Sequence, residues 1–325
     1  MNKYIYIFIR WFYGLSVCRF LSRKHPKILM YHRVTPGGDN GSVSLNNFIK
    51  QMEFVKKNFN PISLDYLLSR RDDEKKPKNP IVLTFDDGYS DFYEYAFPVL
   101  KKLELPATLF ITTGFVNQEL WLWPDKVKYA LTENPKVSNK FNFEEMEFDL
   151  TNNIDSVWGC IADYCLTLPD NKKTELIDCL YQEVGLEMPA LAPENYRPLT
   201  WLEISRMREY GLGVGSHSHS HPVMTKLDDE ELNRELFLSK AIIEENLNIK
   251  VDTFCYPNGQ PLDFDDRVKT FLKSKSYKFA FVAYPGSDPL KNNLEINRYP
   301  IANDWIEFEK TVSGFKYLIG KINRV

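Results

Sequence analysis

Ile81-Val82-Leu83-Thr84-Phe85-Asp86-Asp87-Gly88-Tyr89 decides how the rest of this 325-residue chain is read. A run of apolar and β-branched residues meets two adjacent carboxylates, then a glycine and a turn. The run predicts a buried strand. Asp86 and Asp87 then stand at its C-terminal end, where α/β folds carry their sites. Gly88 gives the backbone room to turn. Neighbouring carboxylates repel, so the pair is costly unless a cation or a proton is shared. The plain alternative is an acidic turn whose aspartate caps a helix.

Val214-Gly215-Ser216-His217-Ser218-His219-Ser220-His221-Pro222 shifts the balance. The chain has five histidines, and three fall here at alternate positions. Imidazole is the commonest metal ligand near neutral pH. His217 and His221 are four apart, so a helical turn or a tight loop can aim both inward. His219 reads as the bystander. A chance surface cluster is the competing explanation.

Together the two stretches resemble the polysaccharide deacetylase family, also called the NodB-homology domain or carbohydrate esterase family 4. Its first motif, T-F-D-D-G at a strand end, stands as Thr84 to Gly88. Its second, H-[ST]-x-x-H, stands as His217 to His221. The resemblance spans roughly Lys27 to Pro300, by domain-size reasoning. It implies an α/β fold: an incomplete seven-stranded (β/α) barrel. It also implies a hydrolase that removes N-acetyl groups from a polysaccharide or glycan. An O-acetyl polysaccharide esterase and an inactive glycan-binding barrel are the alternatives.

By resemblance, Asp87, His217 and His221 hold one divalent metal ion, with zinc expected. One carboxylate and two imidazoles leave positions open for water and substrate. Asp86 is the implied general base, kept ionised by the neighbouring cation. The family's third motif stands as Phe254-Cys255-Tyr256-Pro257-Asn258-Gly259. It departs from the pattern twice. Cys255 replaces an arginine that orients the base, and Asn258 replaces an aromatic residue. Arg298, on the last predicted strand, is the candidate substitute for that arginine. Tyr256 and Asn258 are assigned to substrate or oxyanion contact, Asn258 through its backbone N–H. The family's usual C-terminal histidine is missing, since no histidine follows His221. His32, closing the predicted first strand Lys27 to His32, is expected to be the general acid. This resembles the branch acting on poly-N-acetylglucosamine. The competing role for His32 is structural, under the loop that follows it.

Composition bounds the rest. Lys and Arg number 41 against 44 Asp and Glu, for a net charge of −3. That near balance leaves no basic footprint for nucleic acid. The chain is 43% hydrophobic and 14% aromatic, enough for a large core without staples. Five cysteines in loose spacing form no disulfide framework and no cysteine zinc site.

Residues 1–24 form an apolar and basic segment, and residues 25–325 the barrel. Tyr4 to Phe20 is apolar but interrupted by Arg10 and Arg19, too broken for a spanning helix. It has no small-residue cleavage site, and Cys18 poorly matches a lipoprotein signal. Trp11, Tyr13, Arg10, Arg19, Arg23 and Lys24 suit a membrane interface. The protein is therefore expected at a membrane or the cell envelope, on an unassigned side. A first helix packed on the barrel is the other reading.

Strand and helix signals alternate from Lys27 to Thr112, which predicts parallel strands. A helix is expected from about Asp91 to Leu103. From about 118 to 198 the rhythm gives way to helical patches over Asp125 to Leu131, Ile154 to Leu166 and Lys172 to Val184. No strand is evident between them, so a mostly helical insertion is expected, either a cleft wall or a neutral elaboration. Trp123, with Trp121, is a candidate sugar platform, although such residues commonly fill cores. The rhythm resumes at Thr200. Asp228 is placed to cap a helix reaching Leu247, and the last strand is expected over Glu295 to Tyr299.

Overall fold

The computed structural model describes residues 14–38, 41–71, 77–134, 136, 139–286, 288–315 and 317–318. Seven strands organise it: β1 (Lys27–Tyr31), β2 (Pro80–Phe85), β3 (Ala107–Ile111), β4 (Gly213–Ser216), β5 (Thr253–Cys255), β6 (Phe279–Phe281) and β7 (Tyr299–Pro300). Their spatial order is β6-β5-β4-β3-β2-β1-β7. Every neighbouring pair is parallel. A two-residue strand, Asn60–Pro61, pairs with the start of β2. Helices fill the crossovers, and the sheet curls into an incomplete (β/α) barrel.

β1 and β2 are buried at every residue, as strands covered on both faces must be. The two-residue period divides each strand between two cores. Leu29, Leu83, Leu109, Phe254 and Ala280 join the layer between sheet and helices. Ile28, Val82, Phe110, Cys255 and Phe281 form a second cluster, inside the barrel. Phe110 packs on Phe281 at 5.1 Å between ring centres, and truncating it to Ala would cost about 3–5 kcal/mol. Thr84 and Asp86 share the parity of Val82. They therefore face the interior at the C-terminal mouth, and that alternation positions the site.

The expected last strand is split. Ile296 makes a single bridge to Phe281, and β7 then pairs with β1 through Tyr299 and Pro300. Pro300 has no N–H, but the parallel register does not need it: the N–H of Ile301 donates to the carbonyl of Met30 at 3.0 Å. The expected Asp91–Leu103 helix begins as a π-helical turn over Phe92–Ala96 and becomes α-helical over Phe97–Lys102. Asp228 caps the Asp229–Leu247 helix as expected. It accepts from the N–H of Glu231, whose side chain accepts from the N–H of Asp228. Such a cap is worth about 1 kcal/mol.

The insertion corrects one expectation. Helices run over Trp123–Thr132, Ile154–Thr167 and Asp170–Val184, near the predicted places. Between the first two lies an antiparallel hairpin, Lys140–Phe143 with Met146–Asp149. Phe141 and Phe148 face inward and stack at 5.7 Å. Its four-residue strands are short, and its turn places Glu144 at φ 51° with no glycine to signal it. These elements share a hydrophobic core of their own, including Val127, Ile161 and Leu180.

The segment before β1 packs on the barrel where it is described. The Gly14–Leu21 helix buries Leu15. Ser22 is fully buried and its hydroxyl donates to the carbonyl of Ser313 at 3.2 Å. Arg19 donates to Asn58 at 3.1 Å. Arg10, Trp11 and Tyr13 lie outside the described residues. Among the described residues, no helix is long and apolar enough to cross a membrane.

Candidate metal centre and active site

β2 delivers Asp86 and Asp87, and β4 delivers His217 and the loop to His221. Gly88, at φ 100°, makes the turn after the aspartates. A Cβ there would stand 3.2 Å from a methyl of Val116. Asp87 and His221 themselves adopt left-handed backbone, at φ 75° and 60°. Non-glycine residues held there cost of order 1–3 kcal/mol each, a strain that clusters at functional sites.

That backbone brings three buried donors together. Nε2 of His217 lies 3.4 Å from Oδ1 of Asp87, and Nε2 of His221 lies 3.5 Å from the same oxygen. Oδ1 has no hydrogen-bond partner among the described residues although it is buried. A buried carboxylate oxygen facing two imidazole nitrogens without a donor is what a cation site presents. The donors therefore fit a divalent metal. Nδ1 of His217 is 2.8 Å from the carbonyl oxygen of Cys255. Donation there fixes the tautomer and leaves the Nε2 lone pair facing Asp87.

Burial opposes ionisation of Asp87, but the histidines outweigh it and hold its pKa far below the ordinary value. Burial also opposes charge on His217. Cys255 and the carboxylates of Asp87 and Asp86 outweigh that, so its pKa lies well above the ordinary imidazole value. Burial lowers His221 to about 4, helped by its histidine neighbour.

Asp86 is held by the residue named as substitute. Arg298 reaches both carboxylate oxygens, each at 2.7 Å, with both side chains buried. Burial raises the pKa of Asp86, but Arg298 overrides it and the net shift is downward. The guanidinium also lies 2.9 Å from Sγ of Cys255. Asp86, His217 and Cys255 form a second cluster of metal-type donors. Arg298 already occupies its charge, so the Asp87 cluster is the one that fits a cation. The small Cys255 leaves the space that this arginine fills.

Nε2 of His32 lies 4.0 Å from Oδ2 of Asp86, and its side chain is 45% exposed. It stands at the mouth, open to solvent. His219 turns away from Asp87. Its Nδ1 meets Thr113 Oγ1 at 2.9 Å and its Nε2 meets Glu119 at 3.2 Å. The bystander reading fits this geometry.

Two assignments are corrected. Tyr256 does not face substrate. Its hydroxyl donates to the carbonyl of Leu294, its N–H to Phe281, and its ring stacks on Phe264 at 4.2 Å. Trp123 is buried in the insertion core, at 9% exposure, and Trp121 is buried at 3%. Neither offers a free face to a sugar. Asn258 lies beyond β5 at φ 56°, and its buried Nδ2 has no partner among the described residues.

Three supports escaped the sequence reading. Glu235, buried on the Asp229–Leu247 helix, accepts from the N–H groups of His219 and Ser220 and from the Ser220 hydroxyl, clamping the histidine loop. Arg33 donates to Asp91 at 2.6 Å. Tyr89 donates to Asp125 of the insertion at 2.6 Å. Each links residues far apart in sequence. The only local cue was charge at positions otherwise expected to be apolar.

A carboxylate and two imidazoles beside a second ionised carboxylate, at the mouth of a (β/α) barrel, match the donor set that a divalent metal takes. Residues 73–280 match the polysaccharide deacetylase family model, and the chain belongs to that family. It is 32% identical over 114 residues to a poly-beta-1,6-N-acetyl-D-glucosamine N-deacetylase of Staphylococcus aureus. That stretch is 35% of this chain and 39% of the relative. Two solved structures share the fold. The Streptococcus pyogenes deacetylase PplD covers 92% of this chain and 98% of its own, with TM-score 0.59 and 17% identity. IcaB from Ammonifex degensii covers 90% and 97%, with TM-score 0.59 and 18% identity.

Proposed function

We propose that this protein is a metal-dependent hydrolase that removes N-acetyl groups from an N-acetylhexosamine polysaccharide. The observation that carries this is the buried, unpartnered Oδ1 of Asp87 between two imidazole nitrogens, beside Asp86. Asp87, His217 and His221 would hold the ion, and the ligand set suits zinc. When bound, the ion supplies Lewis-acid polarisation of the acyl oxygen. Asp86, kept ionised by Arg298, takes the proton of the attacking water. His32, open to the mouth, gives a proton to the departing amine. The backbone N–H of Asn258 faces the oxyanion. The similarity to a poly-N-acetylglucosamine N-deacetylase supports the choice of substrate.

Acetate release is the test. The purified chain is offered N-acetylated and O-acetylated oligosaccharides after chelation and after zinc add-back. Release from the N-acetylated set that zinc restores supports the proposal. Release from the O-acetylated set alone replaces it with an esterase, and no release from either replaces it with a binding role.

The Gly14–Leu21 helix is proposed to rest on a membrane surface at the cell envelope. Val17, Phe20 and Leu21 are exposed there, and Arg23 lies over the Phe20 ring at 3.8 Å. Apolar and basic residues together favour an interface with anionic lipid.

A further inference from the structure

Beside the catalytic mouth, between barrel loops and insertion, lies a cavity of about 520 Å³. Arg33, Asp91 and Glu94 line it from the barrel side, and Asp125, Trp158 and Tyr196 from the insertion side. Its Asp125 is near enough to Asp87 to feel that carboxylate's charge, and the chain links the two places. Arg33 follows His32, and Asp91 lies four residues beyond Asp87. The volume suits a sugar-sized ligand, and Trp158, half-buried at its edge, suits the apolar face of a pyranose.

The wall is short of positive charge. Arg33 is engaged by Asp91 at 2.6 Å, and Lys128 by Asp155. A single guanidinium, Arg197, serves Glu94 at 2.9 Å, Glu194 at 3.5 Å and Glu203 at 3.6 Å. Buried Asp125 accepts from the hydroxyl of Tyr89. Burial lifts the carboxyls of Asp91 and Asp125 above the ordinary range despite Arg33, Asp125 to about 7. Carboxylates so placed are stabilised by an added cation.

We propose that this cavity binds a hexosamine unit whose amine is free and protonated, next to the N-acetylated unit at the metal centre. The proposal rests on the deacetylase reading above. The cation meets Asp125 and Glu94 while the ring lies against Trp158. The product of one turnover is then a ligand for the next, so partly deacetylated chains are preferred over fully acetylated ones.

The test is calorimetric binding to the metal-loaded chain of a β-1,6-linked glucosamine trisaccharide, and of its fully N-acetylated counterpart on an Asp86→Asn background. The free-amine probe should bind more tightly, with affinity falling as salt rises. Asp125→Asn and Glu94→Gln should each weaken it about tenfold, the scale of one charged hydrogen bond. Both are isosteric, and Glu94 is partly exposed, so circular dichroism should be unchanged. Equal binding of the two trisaccharides, or free-amine affinity unmoved by both substitutions, would overturn the proposal. Binding is read without turnover. Absence of acetate release would sink the deacetylase reading, and the calorimetry would still decide this one.

Discussion

Arg298 meets Asp86 across 212 residues of sequence, and the proposed role of Asp86 as base rests on that contact. Cys255 and Arg298 both face the barrel interior, so the exchange of partners follows from strand parity. Replacing Arg298 by Lys loses the bidentate fork. Metal content should be retained while kcat falls about ten- to hundredfold, as for other groups that orient a site. The acidic limb of the pH–rate profile should move to higher pH, because Asp86 loses the paired guanidinium hydrogen bonds that help depress its pKa. An unshifted limb would remove Asp86 as the base. His32→Ala should keep metal but cut N-deacetylation by roughly two to four orders of magnitude. Hydrolysis of an activated aryl acetate should fall far less, because its leaving group needs no proton. Equal losses on both substrates would make His32 structural. Metal affinity, followed by zinc titration, should rise about tenfold per pH unit until the raised pKa of His217 is passed, because that proton must leave. The aspartates and histidines were legible because their chemistry is written in adjacent letters. Tyr256 and Trp123 were misread because exposure is not: both sit at motif-like or aromatic positions that the fold turns inward.

At the scale of elements, strands β1 to β6 were readable from apolar runs bounded by turns. The Lys140–Phe143 and Met146–Asp149 hairpin was not, because four-residue alternation among charged residues looks like loop. Nor was the coupling of insertion to barrel through Tyr89 and Asp125, which no periodicity encodes. That coupling has a pH signature. Burial raises Asp125 to about 7 in the folded chain, against about 3.9 when unfolded. The folded state therefore holds the proton more tightly. Stability is unaffected by this group below about pH 4 and falls as pH rises towards about 7. Asp125→Asn should remove that decline, stabilising the protein at pH 8 more than at pH 5 by as much as a few kcal/mol, at about the scale of buried carboxyls. Urea unfolding at the two pH values reads it, and equal effects at both would refute the buried-carboxylate account.

For the whole molecule, parallel strands and a helical insertion beside them were legible from the lost and regained strand rhythm, and the barrel from the family resemblance; the insertion's separate core was not. Nor was the barrel's near-closure, since the seam is one bridge at Ile296 and a two-residue strand. The Gly14–Leu21 helix buries Leu15 and exposes Phe20 and Leu21, the face proposed above to meet lipid. Phe20→Ser with Leu21→Ser should abolish sedimentation with anionic vesicles and leave acetate release intact. Undiminished sedimentation would place the lipid contact elsewhere. The central claim is that Asp87, His217 and His221 hold one catalytic ion. Its most direct test measures zinc content and acetate release from an N-acetylglucosamine oligosaccharide on the same preparations of wild type and Asp87→Ala. The expected result is one zinc per chain with release in the wild type, and neither in the variant. A variant that retains its zinc, or releases acetate without it, would contradict the account.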